Sequence, residues 1–354
     1  MIWRSPGLID AHAHISWTDF DAADRGRRTP EDTVRLIAEQ ARLMRACGFT
    51  AMRDAGGASD PSRIPGLTVV GCAAMIGAAE ARDRASLDAT LSALSVGTRP
   101  ALSVGTRPAA APSSARPSSM GDPSALTLGT RPPAAPWVKL FLTGGMGAPP
   151  EHVLDPLMTR ETIRAIIARI HASGRRAMAH VWGGSALDWA IDAGVDTVEH
   201  GVYLTGAQAE RLAAARIPLV PTVNIYRILA DRAQAGPGGL DVPAVVSERA
   251  ARAADAHPRA VALARDAGVT IGVGTDYCTP YLFGRNLEEL DALESCGLTR
   301  AETWRAATET NARIIGLDGP APEVAFAADP IRVPHVADLA RRGVSAREIG
   351  VSGV

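Results

Sequence analysis

The sequence predicts an α/β protein built as a (β/α)8 barrel, also called a TIM barrel. Short apolar β runs alternate with helical runs along most of the chain, which is typical of parallel α/β architecture. Eight such β runs can be counted, the number that the closed barrel requires. Polar residues stand at the C-terminal ends of several runs, where a barrel carries its active site.

The eight predicted strands are short and mostly apolar, as expected for strands buried on both faces of a parallel sheet. They cover residues 7–15, 49–54, 67–72, 137–142, 176–181, 195–200, 217–223 and 269–276. Seven of them are preceded or followed by helical runs, which fits a barrel of about 250 residues with additions.

Helical runs between the strands carry start and stop signals. Thr29 can cap a helix that has Pro30 at its first position, and Gly48 ends this helix. A later helix begins near Thr159, places four isoleucines between residues 163 and 170 on one face, and stops at Gly174. Residues 185–194 repeat the scheme.

One stretch, at about residues 95–136, breaks the alternation at the place where the third barrel helix is expected. It is rich in Pro, Ala, Ser and Arg, and it repeats Ser-Val-Gly-Thr-Arg-Pro at 95–100 and 103–108. Prolines prevent a continuous helix, and the composition favours disorder or a loose loop. The barrel is therefore predicted to span residues 1–318 with this low-complexity segment as an interruption.

Composition and charge argue against several classes of partner. The formal net charge is −1, and the arginines form no basic block, so neither nucleic acid nor a membrane surface is an expected partner. No apolar run reaches transmembrane length, and the N-terminal residues lack the apolar core of a signal peptide. The four cysteines show no CxxC spacing and indicate buried thiols in a reducing compartment. We therefore expect a cytoplasmic protein with a small-molecule substrate, and a homo-oligomer is compatible with the sequence.

Lys139 is the only lysine in a chain that contains 36 arginines. Arginine stays charged at any accessible pH, whereas a buried lysine can lose its proton and act as a nucleophile. Lys139 lies in an apolar run, residues 137–145, that is typical of a buried strand. A lysine paired with one carboxylate at a strand end is the alternative when this residue is considered alone.

Side chains suited to metal binding fall at the ends of five predicted strands. They are His12 and His14 on the first strand, Lys139 on the fourth, His180 on the fifth, His200 on the sixth and Asp276 on the eighth. Alternation along a strand sends His12 and His14 to the same side, so one metal ion can bind both. A lone histidine at a strand end is more often a hydrogen-bonded core residue, and only the whole set indicates a metal site.

The motifs around these residues resemble those of the amidohydrolase superfamily in its binuclear form. They are Pro6-Gly-Leu-Ile-Asp-Ala-His-Ala-His14, Val138-Lys-Leu-Phe-Leu-Thr-Gly-Gly145, Ala179-His180, Glu199-His-Gly201 and Gly274-Thr-Asp276. Later motifs resemble the branch that holds imidazolonepropionase-like enzymes and prolidase-type dipeptidases: Asn286-Leu-Glu-Glu-Leu, Ala306-Ala-Thr308 and Asn311-Ala312. The resemblance covers about residues 6–72 and 137–318.

The resemblance implies that Lys139 is carbamylated by CO2 and bridges two divalent metal ions, with zinc expected. The implied ligands are His12, His14 and Asp276 for the first ion, and His180 and His200 for the second. A hydroxide between the ions would be the nucleophile, and Asp276 would take its proton and pass it to the leaving amine. The implied reaction is hydrolysis of a carbon–nitrogen bond in an amide, a cyclic amide or a dipeptide.

The same resemblance points to substrate contacts. Tyr226, just past the seventh strand, resembles a substrate-contacting tyrosine, and a half-buried packing tyrosine is the alternative. Gly144 and Gly145 would let the backbone approach the substrate closely.

Other charged residues receive structural interpretations. Arg53 and Asp54, at the end of the second strand, are predicted to form an internal ion pair. His152, His171 and His257 lie in loop or helix patterns and are expected at the surface.

The chain ends depart from the family pattern. Relatives frame the barrel with a small β-sandwich made from both ends of the chain. Here residues 324–331 resemble a single sandwich strand, and the tail after them does not match. Residues 319–354 are therefore predicted to be a truncated remnant of the β-sandwich followed by an irregular tail.

Other functions stay open at this point. A lactone or ester hydrolase could use the same centre, because the nucleophile attacks either kind of carbonyl. A mononuclear deaminase fits less well, since such relatives do not need Lys139. A degraded, inactive barrel is the alternative outside enzymes; the missing sandwich favours it and the complete ligand set disfavours it.

Overall fold

Parallel strands arranged in a ring form the centre of the structure, a computed structural model that describes residues 3–56, 64, 66–96, 135–235, 240–317, 321–341 and 347–348. The described strands are β1 (Trp3–Pro6), β2 (Leu8–Ala13), β3 (Phe49–Asp54), β4 (Thr68–Val70), β5 (Cys72–Ile76), β6 (Trp137–Phe141), β7 (Arg176–Val181), β8 (Thr197–His200), β9 (Leu219–Val220), β10 (Glu323–Phe326) and β11 (Arg347–Glu348). Strands β2 to β4 form one parallel sheet and β5 to β9 another. Because β4 and β5 are separated by one residue, they share the third position of the ring and join the two sheets.

The ring closes through residues 269–277, the closing segment, which occupies the eighth position. On one side the Gly272 amide donates to the Leu219 carbonyl at 2.9 Å, and on the other the Ala11 amide donates to the Val273 carbonyl at 2.8 Å. The structure therefore confirms the predicted (β/α)8 barrel. The third strand runs on to Ile76, beyond its predicted end, whereas the eighth position is filled by hydrogen-bonded backbone without a regular strand.

Gly274 explains how the closing segment fits between its neighbours. A β-carbon at this position would lie 2.4 Å from Cγ1 of Val220 and 2.8 Å from Cβ of His12. Any side chain would push the segment away from β2 and β9, so the glycine permits closure at the point where the polar residues gather.

Helices surround the ring: α1 (Ala22–Arg27), α2 (Pro30–Ala46), α3 (Ala78–Arg82), α4 (Arg84–Val96), α5 (Arg160–Ala172), α6 (Gly184–Asp192), α7 (Gly206–Ala215), α8 (Val223–Ala230), α9 (Arg232–Ala235), α10 (Ala244–Asp266), α11 (Glu288–Ser295), α12 (Arg300–Arg305), α13 (Asn311–Ile315) and α14 (Asp338–Arg341). The predicted caps are present. Thr29 accepts a hydrogen bond from the Asp32 amide, and Thr159 accepts one from the Thr162 amide. The four isoleucines of α5 are buried in the core, as the periodicity predicted.

The third barrel helix is not where the sequence placed it. Helix α4 precedes the low-complexity segment, and its Leu91 and Leu94 are buried in the core. Its Asp88 pairs with Arg169 of α5, so α4 covers the barrel beside α5. The prediction of its place was wrong because the helix forms in residues 84–96, before the first proline of the repeats, where nothing interrupts it. Residues 97–134 lie outside the described part of the chain.

A small antiparallel sheet joins the two ends of the chain. Strand β10 pairs with β1, placing Trp3 opposite Phe326, and with β11. Trp304 packs edge-on against both aromatic rings, at centroid distances of 5.3 and 5.4 Å. The sequence indicated one strand here, and the structure adds β1 and β11. That this sheet is a remnant of a β-sandwich stays a prediction.

The core consists mainly of aliphatic side chains between the ring and the helices. The four cysteines are free and buried, as predicted: Cys47, Cys72, Cys278 and Cys296. Among the described helices, none combines the length and apolar character that a membrane span requires.

Candidate metal centre

The six side chains that the sequence singled out as ligands lie at the same end of the ring. His12 and His14 end the first strand, Lys139 lies within β6, His180 within β7, His200 ends β8, and Asp276 lies in the closing segment. The shared parallel direction of the strands brings their C-terminal ends together, which is why residues far apart in sequence meet here.

His12, His14 and Asp276 lie close together in this cluster. Oδ1 of Asp276 lies 3.4 Å from Nε2 of His12 and 3.3 Å from Nε2 of His14. Ligand atoms of His12, His200 and Asp276 all lie within 4.8 Å of one another, close enough to share one ion. Imidazole nitrogens and a carboxylate oxygen in this arrangement are the donors that zinc and similar divalent ions take in catalytic sites.

Three of the histidines make a polar contact through Nδ1, the ring nitrogen that does not face the centre of the cluster. Nδ1 of His12 lies 2.5 Å from Oε2 of Glu199, Nδ1 of His14 lies 2.8 Å from the Gly56 carbonyl, and Nδ1 of His200 lies 2.8 Å from Oγ1 of Thr222. A partner at Nδ1 fixes the ring orientation and leaves Nε2 to face the centre, the arrangement common among metal-binding histidines. The residues present therefore fit a metal ion.

His180 completes the set on the side of His200. Their ring centroids are 4.5 Å apart, and the His200 ring lies 5.0 Å from that of His12. The ring of His200 is therefore close to both the His12 and the His180 rings.

Lys139 lies beside His12. Its Nζ is 3.0 Å from Nε2 of His12, and its side chain is buried. Burial lowers the pKa of Lys139 from its usual 10.5 to about 8, although Glu199 and Asp276 oppose the shift. Burial therefore brings the pKa of the amine closer to neutral pH and makes its neutral form more accessible.

The surroundings also set the protonation of the other candidate ligands. Burial, helped by the nearby Lys139 charge, lowers the pKa of His180 to about 3, and burial with the His180 charge holds the pKa of His200 well below its usual range. Burial alone would raise the pKa of Asp276, but hydrogen bonds with His12 and His14 hold it well below its usual range. Neutral imidazoles and an ionised carboxylate are the forms that bind metal ions.

Backbone strain is concentrated at the same end of the ring. His200, Thr222 and Asp276, at the ends of the sixth, seventh and eighth positions, have φ angles of 74°, 56° and 56°. Residues other than glycine seldom adopt this left-handed conformation, and such strain clusters at functional sites.

Glu199 is a residue whose part in the site the sequence did not reveal. Besides His12, it binds Nη2 of Arg53 at 2.7 Å and accepts a hydrogen bond from the Thr197 hydroxyl. Burial would raise the pKa of Glu199, but Arg53 and His12 lower it to about 2. The internal ion pair of Arg53 is thus formed with Glu199 rather than with the predicted Asp54. The Glu-His-Gly motif contained this signal, because a carboxylate inside a buried strand needs a charged partner.

Other motif residues form hydrogen bonds that hold the strand ends together. Buried Asp10 accepts hydrogen bonds from the His12 amide, from the Thr275 amide and hydroxyl, and from Nδ2 of Asn286. Asn311 donates to the carbonyls of Ile9 and Val273. These contacts tie the first strand to the closing segment and so hold His12 beside Asp276.

The predicted substrate contacts lie at the edge of this cluster. Tyr226, near the start of α8, is buried; its ring lies 6.3 Å from that of His200 and packs edge-on against Trp182 at 5.4 Å. Gly144 has a packing reason of its own, since a β-carbon there would lie 2.3 Å from Cβ of Ala148. The roles of Tyr226, Gly144 and Gly145 towards a substrate stay predictions.

Gly145 approaches a candidate ligand directly. It has a φ of 49°, and a β-carbon there would lie 2.5 Å from Nε2 of His180. We expect Gly145→Ala to displace the His180 ring and to lower metal content and activity by about tenfold or more. Changes to the groups that orient a metal ligand commonly lower metal affinity or activity by that much. Metal analysis and hydrolysis rates measure the effect. Gly147→Ala is the matched control, since a β-carbon there meets nothing within 4 Å. Equal behaviour of the two variants would contradict the expectation.

One histidine prediction was wrong. His152 and His171 are exposed, as predicted, but His257 is fully buried in α10 with Nε2 2.8 Å from the His200 carbonyl. The helical pattern alone did not show which side of α10 faces the barrel.

Comparisons with known proteins agree with this geometry. The sequence model of the amidohydrolase family matches residues 4–331. An uncharacterized protein of Mycobacterium tuberculosis is 29% identical over 348 residues, which cover 94% of this chain and 81% of that protein. Ochratoxinase of Aspergillus niger is 29% identical over 187 residues, 52% of this chain and 37% of the relative. The crystal structure of a Xaa-Pro dipeptidase with bound methionine superposes with a TM-score of 0.70 at 17% identity, covering 97% of this chain and 84% of that one.

Proposed function

The chain belongs to the amidohydrolase family, which makes it a metal-dependent hydrolase of carbon–nitrogen bonds, and we propose that it works with a binuclear centre bridged by a carbamate on Lys139. The proposed substrate is a small molecule that carries an amide, a cyclic amide or a dipeptide bond. The observation that supports this most is the meeting of four histidines, Lys139 and Asp276 at one end of the barrel.

The proposed ligands divide into two groups around Lys139. They are His12, His14 and Asp276 for the first ion, and His180 and His200 for the second; His200 also lies near His12 and Asp276, so it stands where the two groups meet. Two bound divalent ions, expected to be zinc, would lower the pKa of a shared water and polarise the substrate carbonyl at the same time.

Lys139 is suited to the bridging role by its environment. Its neutral amine would form a nitrogen–carbon bond with CO2 and release a proton, which leaves a negatively charged carbamate. Burial already lowers the pKa of Lys139 to about 8, so the reactive neutral form is accessible. The negative charge would lie next to His12, whose Nε2 is 3.0 Å from Nζ.

Asp276 is the proposed proton carrier. Its side chain is one-quarter exposed, so it borders both the buried ligands and the open mouth of the barrel. Its pKa is held well below the usual range, so the carboxylate is ionised and has a free electron pair for a proton. It would take the proton of the attacking water and deliver it to the leaving amine.

Dipeptides and related N-acyl compounds are the substrates that we would test first. A Xaa-Pro dipeptidase superposes over nearly the whole chain, and ochratoxinase matches half of it in sequence. Tyr226, Gly144 and Gly145 are the proposed substrate contacts. The comparisons do not favour a lactone or ester hydrolase, nor a degraded barrel.

Metal analysis tests the binuclear centre directly. We expect two divalent ions per chain in folded, metal-supplemented protein, and we expect His12→Ala to lose at least the first ion together with most activity. His171→Ala is the matched control, because His171 is exposed and bonded to Asp196, away from the cluster. Elemental analysis that finds one ion or none in well-folded protein would contradict the proposal.

A further inference from the structure

Helix α10 presents one buried histidine to the back of the candidate metal centre. His257 is fully buried, and its Nε2 lies 2.8 Å from the backbone carbonyl of His200. Because a carbonyl oxygen only accepts hydrogen bonds, Nε2 is the donor. Among the described residues Nδ1 of His257 has no hydrogen-bond partner, so the bond to His200 is the ring's one polar contact there.

The carbonyl that His257 binds belongs to a strained residue. His200 has a φ of 74°, a left-handed conformation that is unfavourable for a residue other than glycine. Such a conformation persists only where the surroundings hold it. At His200 the carbonyl is held by His257 and the ring by the Thr222 hydroxyl.

These two contacts fix the orientation of the His200 ring. Its carbonyl meets α10 outside the ring of strands, whereas its imidazole faces His180 and His12 at centroid distances of 4.5 and 5.0 Å. If the carbonyl lost its donor, the backbone could relax from the left-handed region and rotate the imidazole away from the mouth.

The same side of α10 makes a second contact with this half of the centre. Nη1 of Arg249, about two helical turns before His257, donates to the Met146 carbonyl at 2.8 Å. Met146 follows Gly145, which lies against Nε2 of His180. Helix α10 therefore donates hydrogen bonds to backbone carbonyls next to His180 and at His200.

From these contacts we infer that His257 is a positioning residue for the second metal ion, acting through the backbone of His200. The inference rests on the proposed binuclear centre. It predicts a selective effect: loss of the His257 hydrogen bond weakens the ion at His180 and His200 more than the ion at His12 and His14.

The test compares variants of the full-length, metal-loaded protein by zinc stoichiometry and by competition with a chelator. His257→Leu fills similar space without a donor, and we expect it to keep one ion tightly while affinity for the other falls about 10- to 100-fold. His257→Gln places an amide donor near the position of Nε2 and should restore most of that affinity. Val261→Ala removes a buried side chain one turn further along α10, so it reports the effect of lost packing alone.

Distinct results would overturn the inference. One is a His257→Leu variant that still binds two ions tightly. The other is a His257→Leu variant whose affinities for both ions fall equally, and by no more than in Val261→Ala. If the leucine variant does not fold, His257→Asn replaces it, because the shorter amide cannot reach the His200 carbonyl; equal affinities in the Asn and Gln variants would then count against the inference. Fewer than two ions in the wild-type protein would overturn the binuclear proposal and this inference with it.

Discussion

Replacing Lys139 by arginine is expected to remove the binuclear centre and nearly all hydrolysis. Guanidinium does not add CO2, so the variant has no bridging carboxylate and instead places a positive charge between two cations. At an effective dielectric of about 20, each such contact near 4 Å costs on the order of 4 kcal/mol, enough to expel an ion. Metal content and hydrolysis rates of the purified variant measure the effect.

Two further variants separate the causes of this loss. Lys139→Met removes the amine without adding repulsion, and it should also be inactive if the carbamate is required. For Lys139→Ala, short carboxylic acids in the medium are expected to restore part of the activity by standing in for the carbamate. A lysine that only paired with Glu199 or Asp276 would tolerate arginine, so an Arg variant with both ions and near-normal turnover would exclude the bridging role.

Asp276→Asn is expected to lower kcat by about 10²- to 10⁴-fold, the usual contribution of a positioned proton carrier. Asparagine keeps the shape of the side chain and tolerates the left-handed backbone found here, where φ is 56°. It cannot accept the proton of the attacking water, so turnover should fall even where ions remain bound. Steady-state kinetics with parallel metal analysis measure both quantities.

Asp266→Asn provides the matched control for this substitution. Asp266 is exposed, pairs with its neighbour Arg265 and lies at the end of α10, so its replacement should leave kcat unchanged. An Asp276→Asn variant that turns over at nearly the wild-type rate with both ions present would remove Asp276 from the proton-transfer role.

Local sequence signals predicted the elements of the barrel well. Thr29 and Thr159 begin helices because their hydroxyls can accept hydrogen bonds from backbone amides three residues on. The predicted strand at residues 176–181 matches β7 residue for residue, since a short run between the glycines at 174 and 183 leaves few alternatives. Such signals depend only on neighbours in the chain.

Predictions that needed a partner distant in sequence failed more often. The sequence predicts a pair between Arg53 and the adjacent Asp54, whereas the structure pairs Arg53 with Glu199. The sequence predicts His257 at the surface, although it lies buried against His200. A helical pattern fixes which residues share a face, but only packing decides which face points inward.

The sequence by itself determined the alternation of strands and helices, the single lysine in a buried strand, and the order of six potential ligands along the chain. These features follow from composition and from the period of each element, which are local properties. The tertiary structure alone decided that Glu199 orients His12, that Asp10 and Asn311 tie the first strand to the closing segment, and that α10 holds the strained His200. The physical reason is that a buried hydrogen bond requires two groups to meet in space, and closure of the barrel brings such groups together from any distance in the chain.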